Sequence, residues 1–112
     1  MRPIELIDKA LCREPLLTAF GLGIYREGRP DTMAEFIRSR DRLRSSEGFL
    51  GVALCVQWLQ SGRSIEGRNS YGLKHEIENH FGVYICNGAL IAAALGLGFE
   101  YEVAGPNVVL SD

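Results

Sequence analysis

The chain has 112 residues, of which 46% are hydrophobic and 23% charged, a balance typical of one folded domain and not of a disordered segment. Its net charge of −2 is too small to attract nucleic acid or a basic partner by bulk electrostatics. The longest apolar stretch, residues 88–99, falls short of the roughly 20 residues that span a bilayer. We therefore expect a single domain over residues 1–112 and no membrane partner.

Cysteine usage and the N-terminal residues predict a cytoplasmic location. The cysteines are odd in number, and each lies in an apolar run, as free thiols in a reducing compartment usually do: Cys12, Cys55 and Cys86. Near the N-terminus, Glu5 and Asp8 interrupt the apolar pattern, so the uninterrupted core of a signal peptide is missing.

The first predicted helix covers residues 3–13. Pro3 suits its first turn, and apolar residues recur at a spacing that lines one helix face. Pro15 should end it, because the residue before a proline avoids the helical conformation. Residues 16–25 are compatible with a second short helix or with an irregular segment.

The second predicted helix covers residues 33–44 and follows a polar loop over residues 26–31. The sequence "TMAE" favours a capping box, in which Thr32 caps the helix and Glu35 binds back to the cap's amide. Met33, Phe36, Ile37 and Leu43 should form the apolar side of this helix.

Four arginines alternate along this helix: Arg38, Arg40, Arg42 and Arg44. Helical spacing places Arg38 and Arg42 on one face and Arg40 and Arg44 on another. A planar guanidinium suits carboxylate or phosphate groups, so the run is either a solvated helix face or a patch that binds an anion or a partner.

The middle of the chain predicts two more helices. After a break at "SSEG", residues 49–60 form a strongly apolar helix that should be central to the core, with Trp58 as its largest anchor. A loop follows, and then a helix over residues 71–81, capped by Ser70 or Asn69 and ended by Gly82.

The C-terminal third predicts a buried helix and a β-hairpin. Asn87 should cap a helix over residues 88–97 that is almost free of polar groups, and residues 99–110 alternate around the turn "AGPN". The fold class is therefore mainly α with a C-terminal β-hairpin (α+β). The order of helix, turn, helix and hairpin also matches a winged helix.

The winged-helix order raises the question of DNA binding. A recognition helix presents Arg, Asn, Gln or Lys to base edges, whereas residues 88–97 contain only Gly, Ala, Leu and Ile. Asn87 is the sole candidate reader, so we expect this helix to be the buried centre of the fold. Nonspecific contact with phosphates remains open for a second basic group: Arg63, Arg68, Lys74 and His75.

The residues that could carry chemistry form no recognisable site. His75 and His80 lie five residues apart, which turns them about 140° from each other on a helix and disfavours one shared metal. Cys86 is expected to be a buried thiol, and the pair Glu76 and His80 a helix-surface contact. No phosphate-loop motif is present. We expect no catalytic residues, no metal and no cofactor, and hence not an enzyme.

The segments "SYGLKHEIE" and "VYICNGALIAAALGLGF" resemble a group of short, uncharacterised proteins encoded on bacterial prophages, plasmids and integrative elements. The resemblance extends to "FGLGIYR" and "PNVVL". In that group a small hydroxyl residue is more common where Cys86 stands here. The resemblance implies an inhibitor that binds and blocks a host protein complex, including defence complexes such as CRISPR effectors (an anti-CRISPR role) and restriction enzymes.

The sequence therefore leads to two candidate functions, a preferred one and an alternative. The first is a binding protein that inhibits a host protein complex, and the alternative is a nucleic-acid-binding accessory protein of winged-helix type. The predicted contact surface consists of the two basic groups, Arg38 to Arg44 and Arg63 to His75. Their convergence with Asn87 would favour nucleic acid, and separate acidic and basic patches would favour a protein. A homo-oligomer is also open, because small-residue helix faces pack within a chain or between copies.

Overall fold

Helices dominate the fold, and a small antiparallel sheet lies at the C-terminal end, which confirms the predicted class. The structure is a computed structural model that describes residues 1–23 and 32–112. Its elements within those ranges are α1 Pro3–Arg13, α2 Thr32–Leu43, α3 Ser46–Leu59, β1 Arg68–Asn69, α4 Ser70–Phe81, α5 Asn87–Gly96, β2 Glu100–Ala104 and β3 Asn107–Ser111.

The centre of the fold is α5, as its lack of polar residues predicts. Every residue from Asn87 to Leu95 is buried, and the helix packs against α1, α3, α4 and β3. Glycine permits the closest of these contacts. A Cβ atom added at Gly88 would lie 1.8 Å from the Thr18 carbonyl oxygen, and one at Gly96 would lie 2.6 Å from that of Leu6.

The ends of α1 and α4 follow from their sequences. Pro3 begins α1 as predicted. At α4 the structure decides between the two candidate caps, because the Asn69 side chain accepts a 2.9 Å hydrogen bond from the Tyr71 amide. Ser70 instead accepts from the Val108 amide, which ties α4 to the sheet. Gly82 ends α4 with a φ of 69°.

The structure corrects the predicted starts of α3 and α5. Only Ser45 of the predicted break "SSEG" lies between the helices, because α3 already begins at Ser46. Gly48 lies in its first turn at a position where an added Cβ would be 1.8 Å from the Leu43 carbonyl oxygen. Asn87 is not a cap, because Cys86 holds the N-cap position of α5 and Asn87 is the first helical residue.

The segment between α1 and α2 is irregular over residues 14–23, where an isolated bridge joins Leu17 and Leu22. This supports the irregular alternative for that part of residues 16–25. The predicted loop over residues 26–31 lies outside the described residues, and so does the side chain of Thr32 on which the capping box depends.

The sheet has the order β1-β3-β2, and both pairs are antiparallel. The predicted hairpin forms β2 and β3, whose register pairs Tyr101 with Leu110 and Ala104 with Asn107. Strand β1 was not predicted. Val108 and Leu110 are buried in the core. The hairpin turn lies near the start of α5, since Pro106, Asn107 and Asn87 line the same cleft.

No helix in residues 1–23 and 32–112 combines the length and the apolar character that a membrane crossing requires.

Candidate functional site

A cleft of about 770 Å³ lies between α2 and the first turns of α4, and we call it the α2–α4 cleft. The start of α5 and the hairpin turn complete its wall. Its lining residues are Ala19, Phe20, Glu35, Arg38, Ser39, Arg42, Tyr71, Lys74, Tyr84, Asn87, Pro106 and Asn107. The cleft thus joins members of both predicted basic groups with Asn87.

Arg38 and Arg42 line the cleft from the same face of α2, as their spacing predicts. Arg42 donates from Nε to Glu47 Oε2 at 3.2 Å and from Nη2 to Glu47 Oε1 at 2.9 Å. This bidentate bond raises the pKa of Arg42 and lowers the pKa of the Glu47 carboxyl. The Arg42 guanidinium also lies 5.6 Å from the centre of the Tyr84 ring.

Lys74 lines the cleft with its charge largely covered. Its side chain is 8% exposed, and Nζ lies 2.7 Å from Glu78 Oε1 in an i,i+4 ion pair. The ammonium also lies 4.9 Å from the Tyr84 ring centre and 5.5 Å from that of Tyr71. Lys74 therefore holds the two tyrosines together at the rim of the cleft.

Asn87 forms the floor of the cleft and joins three segments. Its Nδ2 donates to the Phe20 carbonyl oxygen at 3.2 Å and to Asn107 Oδ1 at 2.8 Å. Because a carbonyl can only accept, Phe20 fixes the orientation of the amide. Gly21 permits the close approach, since an added Cβ would lie 2.2 Å from the Pro106 carbonyl oxygen.

The remaining two arginines of the first group do not contribute to the cleft lining. Arg40 donates from Nε to the Leu17 carbonyl at 2.8 Å and from Nη2 to the Pro15 carbonyl. Arg44 forms a 2.8 Å ion pair with Asp8 of α1. The structure thus divides the predicted four-arginine surface: one face of α2 lines the cleft, and the other fastens α2 to α1 and the segment that follows it.

Three members of the second basic group also lie outside the cleft lining. Arg63 lies over the Trp58 ring, with its guanidinium carbon 5.1 Å from the ring centre. Arg68 is 3.6 Å from Glu76 Oε1, and His75 contacts the edge of Tyr71. Lys74 is therefore the one member of the second basic group in the cleft lining.

Sequence reasoning missed the aromatic and amide side chains that complete the lining. Tyr71, Tyr84 and Asn107 carry no spacing signal that links them, because they reach one place only through the packing of α4, α5 and the hairpin. The single hint was Asn87, a polar residue at the start of an otherwise apolar helix.

The histidines and cysteines have ordinary surroundings. Within residues 1–23 and 32–112, no group of three His, Cys, Asp or Glu side chains is placed to hold a metal ion. Cys55 and Cys86 are buried, and burial raises the pKa of both thiols. Cys12 is exposed.

The helix in the recognition position of a winged helix is α5, and it offers no exposed side chain from Asn87 to Leu95. Asn87 itself is 6% exposed, and its amide nitrogen donates within the protein. The side chains from Asn87 to Leu95 are therefore not exposed to base edges in this fold.

No family model, curated protein or solved structure matches this chain. Its function has to be inferred from the α2–α4 cleft and the chemistry of the residues around it.

Proposed function

We propose that the protein acts without catalysis, by stoichiometric binding of a partner protein through the α2–α4 cleft and its rim. The observation that carries this proposal is the combination of exposed tyrosines with arginine around one concave site. Tyr71 and Tyr84 are 52% and 53% exposed, and Arg42 packs over the second ring. Tyrosine and arginine are the residues most enriched among the energetic centres of protein interfaces.

Phe20 of the cleft lining extends this site, because its side chain is 44% exposed. Together with the tyrosines it supplies exposed aromatic area beside a polar cleft, which is typical of an interaction surface. Met33 and Ile37 belong to the predicted apolar side of α2 and are 69% and 53% exposed, but they lie outside the cleft lining. Helical spacing turns Ile37 about 140° from Arg42, so these two residues form a separate exposed face of α2.

The pairing of the cations favours a protein over nucleic acid. The convergence of Arg38, Arg42 and Lys74 with Asn87 is the arrangement expected of a phosphate-binding site. However, Glu47 holds Arg42, and Glu78 holds Lys74. Binding to a duplex gains its free energy from cations that replace counterions on phosphates, and an already paired cation contributes little.

The class of partner is inferred from the resemblance to short proteins of prophages and integrative elements. That origin favours a cytoplasmic host complex, including defence complexes, as the target of an inhibitor. An inhibitor that works by blocking needs only a surface of complementary shape and charge.

The test is affinity capture from a bacterial host lysate, followed by reconstitution with the purified captured protein. We expect the wild-type protein to form a complex of fixed stoichiometry in size-exclusion chromatography. Tyr84→Ala and Tyr71→Ala should each weaken the complex at least about tenfold, as interface centres do. Val103→Ala and Arg63→Gln serve as matched controls, because these exposed residues lie outside the lining of the cleft.

A second arm measures binding to a random-sequence duplex by fluorescence anisotropy across a salt series. We expect no binding at physiological salt. Binding that falls steeply with salt and is lost in Arg38→Gln would replace the proposed function with nucleic-acid binding. Self-association through the same face, lost in Tyr71→Ala, would assign the surface to a second copy of the chain.

A further inference from the structure

Arg38 and Arg42 form a pair of guanidinium groups one helical turn apart at the mouth of the α2–α4 cleft. The hydrogen bonds that Arg42 makes with the described residues use Nε and Nη2. Its Nη1 group therefore has no partner among those residues. Arg38 is exposed and forms no ion pair with the described part of the chain.

The pairing of the cations around the cleft suits a single carboxylate. Glu47 holds Arg42 and Glu78 holds Lys74, so the donors left for a ligand are those of Arg38 and the Nη1 group of Arg42. A polyanion gains little from cations that are already paired. One carboxylate needs only the two planar donor groups that face it.

We propose that Arg38 and Arg42 bind one aspartate or glutamate side chain of the partner, in an extended segment that enters the α2–α4 cleft and carries that single acidic residue. This inference rests on the proposed function and specifies its ligand chemistry. The Tyr84 ring supports Arg42 from below, so that the guanidinium is held in place before the partner arrives.

Glu47 acts as an internal competitor in this arrangement. It is itself a carboxylate, and it occupies one edge of the Arg42 guanidinium in the free protein. Removing its negative charge leaves Arg42 available to the partner and makes the net charge at the mouth of the cleft more positive by one. The two substitutions therefore have opposite effects on affinity. Arg38→Gln weakens binding of the acidic segment, whereas Glu47→Gln strengthens it.

The experiment uses the full chain and a fluorescein-labelled ten-residue peptide that has one glutamate among glycine and serine residues. A peptide with glutamine in place of glutamate is the control probe. We expect the wild-type protein to prefer the glutamate peptide, Arg38→Gln to lose about fivefold in affinity, and Glu47→Gln to gain about threefold or more, since exposed ion pairs contribute up to about 1 kcal/mol. Arg63→Gln removes a charge outside the cleft lining and should change nothing.

Several results would overturn the inference. They are equal binding of the glutamate and glutamine peptides, failure of the glutamate peptide to bind Glu47→Gln at millimolar concentration, and a loss of affinity in Glu47→Gln as large as that in Arg38→Gln. Preference for a ten-nucleotide single strand over the glutamate peptide would replace the carboxylate by phosphate. Circular dichroism checks that each variant is folded, and Arg38→Lys tests whether charge alone suffices.

The lysate capture separates this inference from the proposed function. If Tyr84→Ala abolishes capture while Arg38→Gln and Glu47→Gln leave it unchanged, the protein interface stands and the carboxylate site fails. If Tyr84→Ala and Tyr71→Ala capture the partner as well as the wild type does, the proposed function itself fails.

Discussion

One amide, that of Asn87, joins the segment after α1, the hairpin turn and the start of α5. Its two N–H groups are used by the Phe20 carbonyl and by Asn107. Both hydrogen bonds are part-buried at the floor of the cleft, and Asn87 itself is 6% exposed. The geometry of the cleft floor therefore depends on this side chain.

We expect Asn87→Ala to lower the free energy of unfolding by about 1 to 3 kcal/mol, because two part-buried hydrogen bonds between segments are lost. Equilibrium urea denaturation measures this change. Asn79→Ala is the matched control, since Asn79 is exposed on α4, and it should stay within about 0.5 kcal/mol of the wild type. Equal stability of the two variants would mean that Asn87 does not fasten these segments.

For single residues, the sequence predicts which side chains share a face of one helix, because their spacing alone determines this. The i,i+4 separation places Arg38 and Arg42 together without any knowledge of the fold. The meeting of Asn87 with Asn107 depends on the hairpin turn, twenty residues further along the chain. Asparagine favours helix caps, so Asn87 was assigned one, but its hydrogen bonds to other segments prevail over that local preference.

The elements show the same division between local and tertiary causes. Helices α1 and α4 and the hairpin were predicted, because each has a period, a cap or a turn within its own sequence. Strand β1 has two residues, too few for any alternation. The first turn of α3 contains serine and glycine, which favour loops, but its contact with the end of α2 makes Gly48 suitable there.

Glycine in α4 and α5 gives a paired prediction. A Cβ atom at Gly88 would meet the Thr18 carbonyl oxygen at 1.8 Å, and backbone cannot move aside as a flexible side chain does. Gly72 in α4 has no heavy atom within 4 Å of its added Cβ. We expect Gly88→Ala to destabilise the protein by about 3 kcal/mol or more, and Gly72→Ala to stabilise it by about 0.5 to 1 kcal/mol.

Urea denaturation of both variants tests this pair. The common change from glycine to alanine cancels the effect of helix propensity, so the difference between the variants reports the contact of α5 with the segment at Thr18. If Gly88→Ala is as stable as Gly72→Ala, the two backbones do not approach each other as closely as the structure has them.

For the whole molecule, the distribution of charge matters more than its sum. Residues 1–60 carry nine Lys and Arg against eight Asp and Glu, and residues 61–112 carry three against six. This pattern leaves open whether the surface carries separate basic and acidic patches. In the fold, Arg44 pairs with Asp8, Arg42 with Glu47 and Arg68 with Glu76, so opposite charges alternate over the described surface. The separate patches expected for a protein partner are not seen there, and the preference for a protein over a polyanion rests instead on the pairing of these cations.

The three thiols report on the integrity of the whole core. Cys55 of α3 and Cys86 before α5 are buried where these central helices pack, whereas Cys12 is exposed on α1. Burial also raises the pKa of Cys55 and Cys86, which lowers their thiolate content and slows attack on a disulfide reagent. We expect Ellman's reagent at pH 8 to react at once with one equivalent of thiol and with two more only on unfolding.

Substitutions at two positions make this measurement specific. Cys12→Ser should remove the fast phase and leave the slow phase unchanged. Gly88→Ala should accelerate the slow phase about 100-fold, because a loss of about 3 kcal/mol raises the population of the open state by that factor when opening and closing are rapid. Fast reaction of more than one thiol in the wild-type protein would contradict a closed core, since reagent could then reach the contact between α3 and α5 without unfolding.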